Sequence, residues 1–213
     1  VIEMLVPERK RVLQSTKAGK IANAQSKKAA AVAVCLLLLP VIGKASPSSA
    51  LREYNSGKFE ASLDEYQRLS ERKTNDYRLH FNAGTAAYKA KQFETAQKHL
   101  NAAIDSPEIT SDLAAQQSAY YNLANTEFQL GAPLPEPEKK KELWEQSIDN
   151  YIRALQLNPK DTNANNNLAY VKRMLEQLKK QEQQQNKNDK SKDQDNKDQQ
   201  DQNNKGDKKD QKK

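Results

Sequence analysis

Few side chains in this sequence are equipped for covalent or acid–base chemistry, and their spacing limits what they could do. The two histidines, His80 and His99, lie far apart in the chain and have no cysteine partner, so a metal centre would need carboxylates gathered from several segments. The single cysteine, Cys35, sits between Val34 and Leu36 in an apolar run, neighbours that do not suit a lipoprotein processing site, and one thiol offers no disulfide. The spacings G-x-S-x-G, H-E-x-x-H and G-x-G-x-x-G and a phosphate loop are missing, and only 6 glycines are present to shape a catalytic loop. These residues point away from an enzyme, and no cofactor, metal or small-molecule substrate is expected. What recurs instead is amide and aromatic side chains, suited to hydrogen bonding and packing against a polypeptide.

The recurrence has a period of 34 residues. Tyr54, Gly57, Phe59, Ser62, Tyr66 and Leu69 return as Tyr88, Lys91, Phe93, Ala96, Leu100 and Ala103. Phe81-Asn82-Ala83-Gly84 returns as Tyr121-Asn122-Leu123-Ala124 at an offset of 40, and Tyr88 as Phe128. Phe93, Ala96, Leu100 and Ala103 are answered by Trp144, Ser147, Tyr151 and Ala154 at an offset of 51, the extra residues falling around APLPEPEKKKE. Asn166-Asn167-Leu168-Ala169 opens a fourth copy whose apolar pattern stops at Leu178, as a terminal capping helix would.

Spacings of three and four put the large residues on one helical stripe, with Gly84, Ala96, Ala103, Ala124 and Ala154 allowing close approach of backbones. The pattern predicts an all-α solenoid of three helix pairs at about 46–76, 77–110 and 117–161, with a capping helix at 162–180. Tyr54, Phe59, Tyr66, Phe93, Trp144 and Tyr151 read as core. Gly57 and Gly131 end first helices, Pro107 and Pro159 follow second helices, and Ser111 and Thr162 stand at cap positions.

Both ends differ from this middle. A basic stretch runs into the apolar segment Ala29 to Ile42 and then small residues, a secretory leader layout over 1–45 with cleavage after Ala45, or after Ala50 as second choice. The alternative is an uncleaved membrane anchor, against which 14 apolar residues would span roughly 21 Å of a ~30 Å hydrocarbon core. The leader holds eight Lys/Arg against Glu3 and Glu8 and so carries most of the net charge of +7. The remainder is near neutral and lacks the basic footprint of a nucleic-acid binder. The expected location is the periplasm or cell envelope. Residues 181–213 have no apolar side chain and are expected to be disordered.

The period and its residues resemble the tetratricopeptide repeat (TPR) superfamily over about Ala50 to Leu178. More narrowly, a leader, three repeats ending in SIDNYIRALQLNPKDTNANNNLAYVKRMLEQLKK and a Gln/Asn/Lys/Asp tail resemble the exported TPR proteins of bacterial aerotolerance (Bat) operons. That resemblance implies partners: membrane-anchored von Willebrand A-domain proteins, beside a MoxR-type AAA+ ATPase.

In a TPR stack the first helix of each pair lines a concave groove, which implies a peptide-binding surface here. Its candidates are Arg78, Asn82, Thr85, Tyr88 and Lys89, then Tyr121, Asn122, Asn125 and Phe128, then Asn163, Asn166, Asn167, Tyr170 and Arg173. Asn82, Asn122 and Asn167 are equivalent in three copies, and an amide can both donate to and accept from a ligand backbone. The competing explanation is that Asn at this place caps or solvates its helix. The Lys/Arg set of TPR domains that clamp a carboxylate tail is replaced by Asn, Phe and Tyr. The function expected is that of an adaptor between proteins, against a chaperone-like client binder or a self-associating envelope protein.

Overall fold

The computed structural model describes residues 45–206, with side chains described to residue 184; the leader-like segment and the last seven residues lie outside the described residues. The elements are α1 (Pro47–Asn55), α2 (Phe59–Arg72), α3 (Tyr77–Lys89), α4 (Phe93–Asp105), a 3-10 turn (Pro107–Ser111), α5 (Leu113–Gly131), α6 (Pro137–Leu157) and α7 (Thr162–Gly206). Each helix packs on its successor, α5 and α6 most extensively. No strand occurs among the described residues. Three helix pairs followed by a seventh helix make the all-α solenoid that the period predicts.

Local chemistry sets the ends. Ser46 and Ser49 form a reciprocal capping box before α1, with Pro47 in its first turn. Asp76, Asp112 and Asp161 cap α3, α5 and α7, accepting from Arg78 N, Ala115 N and Asn163 N at 3.1, 2.9 and 3.1 Å. The caps of α5 and α7 are thus one residue from the expected Ser111 and Thr162: a carboxylate here satisfies two orphan amides of α7, at Asn163 and Ala164. The α1–α2 turn needs a left-handed residue, supplied by Gly57 at φ 75°; its counterpart Lys91 adopts φ 60° in the α3–α4 turn.

One aromatic pair recurs inside each repeat. Tyr54 meets Phe59 at 5.4 Å and 67°, Tyr88 meets Phe93 at 5.5 Å and 65°, and Phe128 meets Trp144 at 5.4 Å but at 18°, stacked rather than edge-on. Trp144 also donates to Phe128 O at 3.2 Å and lies against Gly131, where an added Cβ would sit 2.9 Å from the indole. Gly84 is equally tight, 2.7 Å from Leu100 Cγ, so the close backbone approach read from these small residues is present. Tyr54, Tyr66, Trp144 and Tyr151 are buried, while Phe59 and Phe93 are half-buried and pack as the outer member of their pair.

The insertion is largely helical: from Pro137 onward it forms the first two turns of α6, with Pro at the helix start and Glu138 in the first turn. The helix α7 runs to Gly206, past the 162–180 expected of the capping helix. Its extension is rich in Gln, Lys and Asp and has no Pro, so a helix already nucleated against α6 propagates one bond per residue.

Candidate functional site

The three equivalent asparagines neither face solvent nor cap their helices. Asn82, Asn122 and Asn167 are buried, and they tie the first helix of one repeat to the repeat before it. Asn82 bonds the Tyr66 hydroxyl of α2, and Asn167 sits against the equivalent Tyr151 hydroxyl of α6. Between these two, the equivalent residue is Leu100, whose chain fills the space beside Gly84 and offers no hydroxyl. Asn122 therefore donates to Thr85 Oγ1 at 3.3 Å and leaves its own Oδ1 without a partner. Desolvation raises the Tyr66 and Tyr151 phenols above their usual range, so both remain protonated donors.

This corrects the groove inventory. Asn82, Thr85, Tyr121, Asn122, Asn125, Phe128 and Asn167 are buried in the seams between helices. Asn167 donates to Asn125 Oδ1 at 3.0 Å and to the Tyr121 hydroxyl at 3.2 Å, and the Tyr151 hydroxyl donates to the same Asn125 oxygen. Polar side chains recur there because a buried amide must be satisfied across the seam, and a period cannot say which way it faces. The candidates that retain surface are Arg78, Tyr88, Lys89, Asn163 and Tyr170, which are half-buried, and Asn166 and Arg173, which are exposed. Arg78 is forked onto Asp76, Nε at 3.0 Å and Nη2 at 3.2 Å, and this holds its guanidinium above its ordinary pKa. Tyr170 rests edge-on against Phe128 at 5.6 Å with Arg173 6.0 Å over its own ring. The surviving surface is thus Tyr88 and Lys89 on α3 and the aromatic–cation pair Tyr170–Arg173 on α7, flanking α5.

The histidines come together although they are on different helices. Where α2, α3 and α4 meet, His80 Nε2 donates to Thr74 O at 3.0 Å, which leaves its Nδ1 to accept from His99 Nδ1 at 3.1 Å. His99 Nε2 then accepts from Gln67 Nε2 at 3.4 Å. Burial, and secondarily the neighbouring His80, lowers His99 to about 4, which keeps the His99 ring neutral. No group of three or more His, Cys, Asp or Glu among the described residues is placed to hold a metal ion.

Sequence reasoning missed the equivalent place one repeat on, where α4, α5 and α6 meet. By the repeat offsets Gln67, His80 and His99 become Asn101, Tyr120 and Asn150, and Ala87 becomes Glu127. No rings meet there; a cleft of about 320 Å³ is open instead. Glu127, 4% exposed, lies at its floor, accepting from Asn150 Nδ2 at 2.8 Å and bonded to Gln97. Desolvation raises this carboxyl to about 7 despite those bonds. The only signal in the sequence was a glutamate at a position that carries alanine in the preceding copy.

No protein-family model and no curated protein matches this chain. Among the solved structures that resemble it are the first TPR of Spaghetti (RPAP3) bound to the HSP90 peptide SRMEEVD and the first TPR domain of human RPAP3. The former is 20% identical with a TM-score of 0.50, over 60% of this chain and 88% of the other. The latter is 20% identical with a TM-score of 0.51, over 62% of this chain and 91% of the other. At that identity the likeness is one of architecture, and it agrees with the period, the aromatic pairs and the helix order: the chain has the fold of a tetratricopeptide repeat domain.

Proposed function

We propose that this chain is a protein-interaction module that binds an extended segment of a partner along the face made by α3, α5 and α7. The observation that carries the reading is the half-buried Tyr88 and Lys89 of α3 and the aromatic–cation pair Tyr170–Arg173 of α7, held on a floor whose amides are locked together. A preorganised surface loses little conformational entropy when a ligand settles on it. The peptide-bound TPR structure lends support by analogy of fold.

The finer reading is an exported adaptor of a bacterial envelope that scaffolds membrane-anchored von Willebrand A-domain proteins. Its support is the leader layout and the resemblance to the Bat-operon proteins. Of the two expected cleavage points, Ala45 precedes the cap Ser46, whereas Ala50 is fully buried within α1. No helix among the described residues is long and apolar enough to cross a membrane.

The test is crosslinking and capture from envelope membranes with wild type and with Tyr88→Ala/Tyr170→Ala/Arg173→Ala, folding being checked by circular dichroism. A membrane protein captured by wild type and lost by the folded variant is the expected result. Equal capture by both would remove this face from the reading. Suppression of client aggregation without selective capture would favour the chaperone-like alternative.

A further inference from the structure

The α4–α6 cleft combines open volume, a buried carboxyl and two further carboxyls on its walls. No Lys or Arg forms an ion pair with Glu127, whose partners are the amides of Asn150 and Gln97. Asp105 stands on the α4 wall and Asp149 on the α6 wall, with Asn101 and Gln146 beside them. The one cation lining the cleft, Arg153, is held over the Tyr120 ring at 5.6 Å. Three carboxyl groups thus share one guanidinium, Arg153, whose attraction for Glu127 does not offset the cost of burying that carboxylate.

Position adds to charge. Tyr120, Leu123 and Glu127 are on the side of α5 turned toward α4 and α6, away from Tyr121 and Asn125, which meet α7. In the preceding repeat the same place is closed by the two histidine rings at 5.4 Å and floored by fully buried Ala87. The volume suits one long side chain rather than a helix or strand.

We propose that this cleft is a second binding site, on the face away from the α3–α5–α7 surface, and that it receives an arginine or lysine side chain presented by a protein partner. The cation reaches Glu127 between Asp105 and Asp149, its stem lies along Ile104 and Leu123, and the amides of Asn101 and Gln146 are within the same lining for its remaining donors.

The experiment is NMR titration of the full chain with N-acetyl-arginine methylamide, its lysine counterpart, its neutral citrulline counterpart and spermidine. Saturable shifts centred on Tyr120, Glu127 and Asn150 with the two cationic amino acids, and none with citrulline, are expected. The exposed-wall variant Asp105→Asn/Asp149→Asn should keep the wild-type melting temperature and weaken binding about tenfold, the loss expected from removing two flanking charges. The triple variant of the α3–α7 surface should leave these shifts unchanged, so the site stands or falls independently of the groove. An equal response to citrulline, or no saturation, overturns the proposal. Spermidine binding more tightly than either amino acid would assign the cleft to free amines and overturn the protein partner.

Discussion

The two junctions at which a second helix, the next first helix and the next second helix meet occupy the same place in successive repeats, yet they answer pH in opposite senses. At the first, Gln67, His80 and His99 fill the space, and the bonds that His99 makes there suit its neutral ring. His99 is lowered to about 4 in the folded chain, so its contribution is full above 6.5 and is lost as pH falls toward 4. At the second, Glu127 is raised to about 7, so its contribution is full below the ordinary carboxylate value and is lost as pH rises through 7. Equivalent backbone positions therefore carry unlike chemistry: a repeat constrains where a side chain starts, and its neighbours decide how it titrates.

The largest test of this difference is to separate the junctions. Trp144→Ala removes the indole that stacks on Phe128 and bonds its carbonyl, and should destabilise the third repeat by about 3 to 5 kcal/mol. In a stack held by nearest-neighbour contacts, hydrogen exchange should then quicken in α6 and the first turns of α7 while α2 to α4 keep more of their protection. Uniform loss of protection would show that the junctions act as one unit.

Glu127→Gln addresses the second junction alone. Its amide oxygen can still accept from Asn150, and the group no longer ionises. At pH 8 the variant should be more stable than wild type by about 3 kcal/mol, the equivalent of the shift from 4.5 to about 7, with no gain at pH 4. Denaturant melts across pH 4 to 8 would read it. His99→Gln should do the reverse to a smaller extent: its loss of stability between pH 6.5 and 4 should be less than wild type's by about 2 kcal/mol, after allowance for screening on the more open His80 side. If either variant leaves the slope of stability against pH unchanged, the corresponding junction is not the source of it.

Much of the architecture was readable because packing repeats. The offsets of 34, 40 and 51 follow aromatic and small residues that have to meet a neighbour at fixed distance, and Tyr54–Phe59, Tyr88–Phe93 and Phe128–Trp144 meet as those offsets require. Polar positions were legible as equivalent but not in direction: Asn122 and Asn167 look like ligand contacts in sequence and prove to be bonded to Thr85 and Asn125. The His80–His99 contact was hidden because their separation in sequence says nothing about two antiparallel helices facing each other. Glu127 was hidden for a different reason, since one polar residue on a mostly buried helix leaves no periodic trace. The capping positions were missed by one residue because serine and threonine stood beside the aspartates that do the capping.

The lengthened α6 has a consequence for what can come near the molecule. It starts at Pro137, whereas its repeat-equivalent start is Trp144, and those seven residues amount to about 10 Å of extra helix at 1.5 Å each. The third hairpin consequently overhangs the other two at the end where α5 turns into α6, and this lip carries Lys139, Lys140 and Lys141 on its outer turns. Those two turns, with Lys139 paired to Glu136 and Lys141 to Glu138, are a charged surface that the shorter second helices of the first two repeats lack.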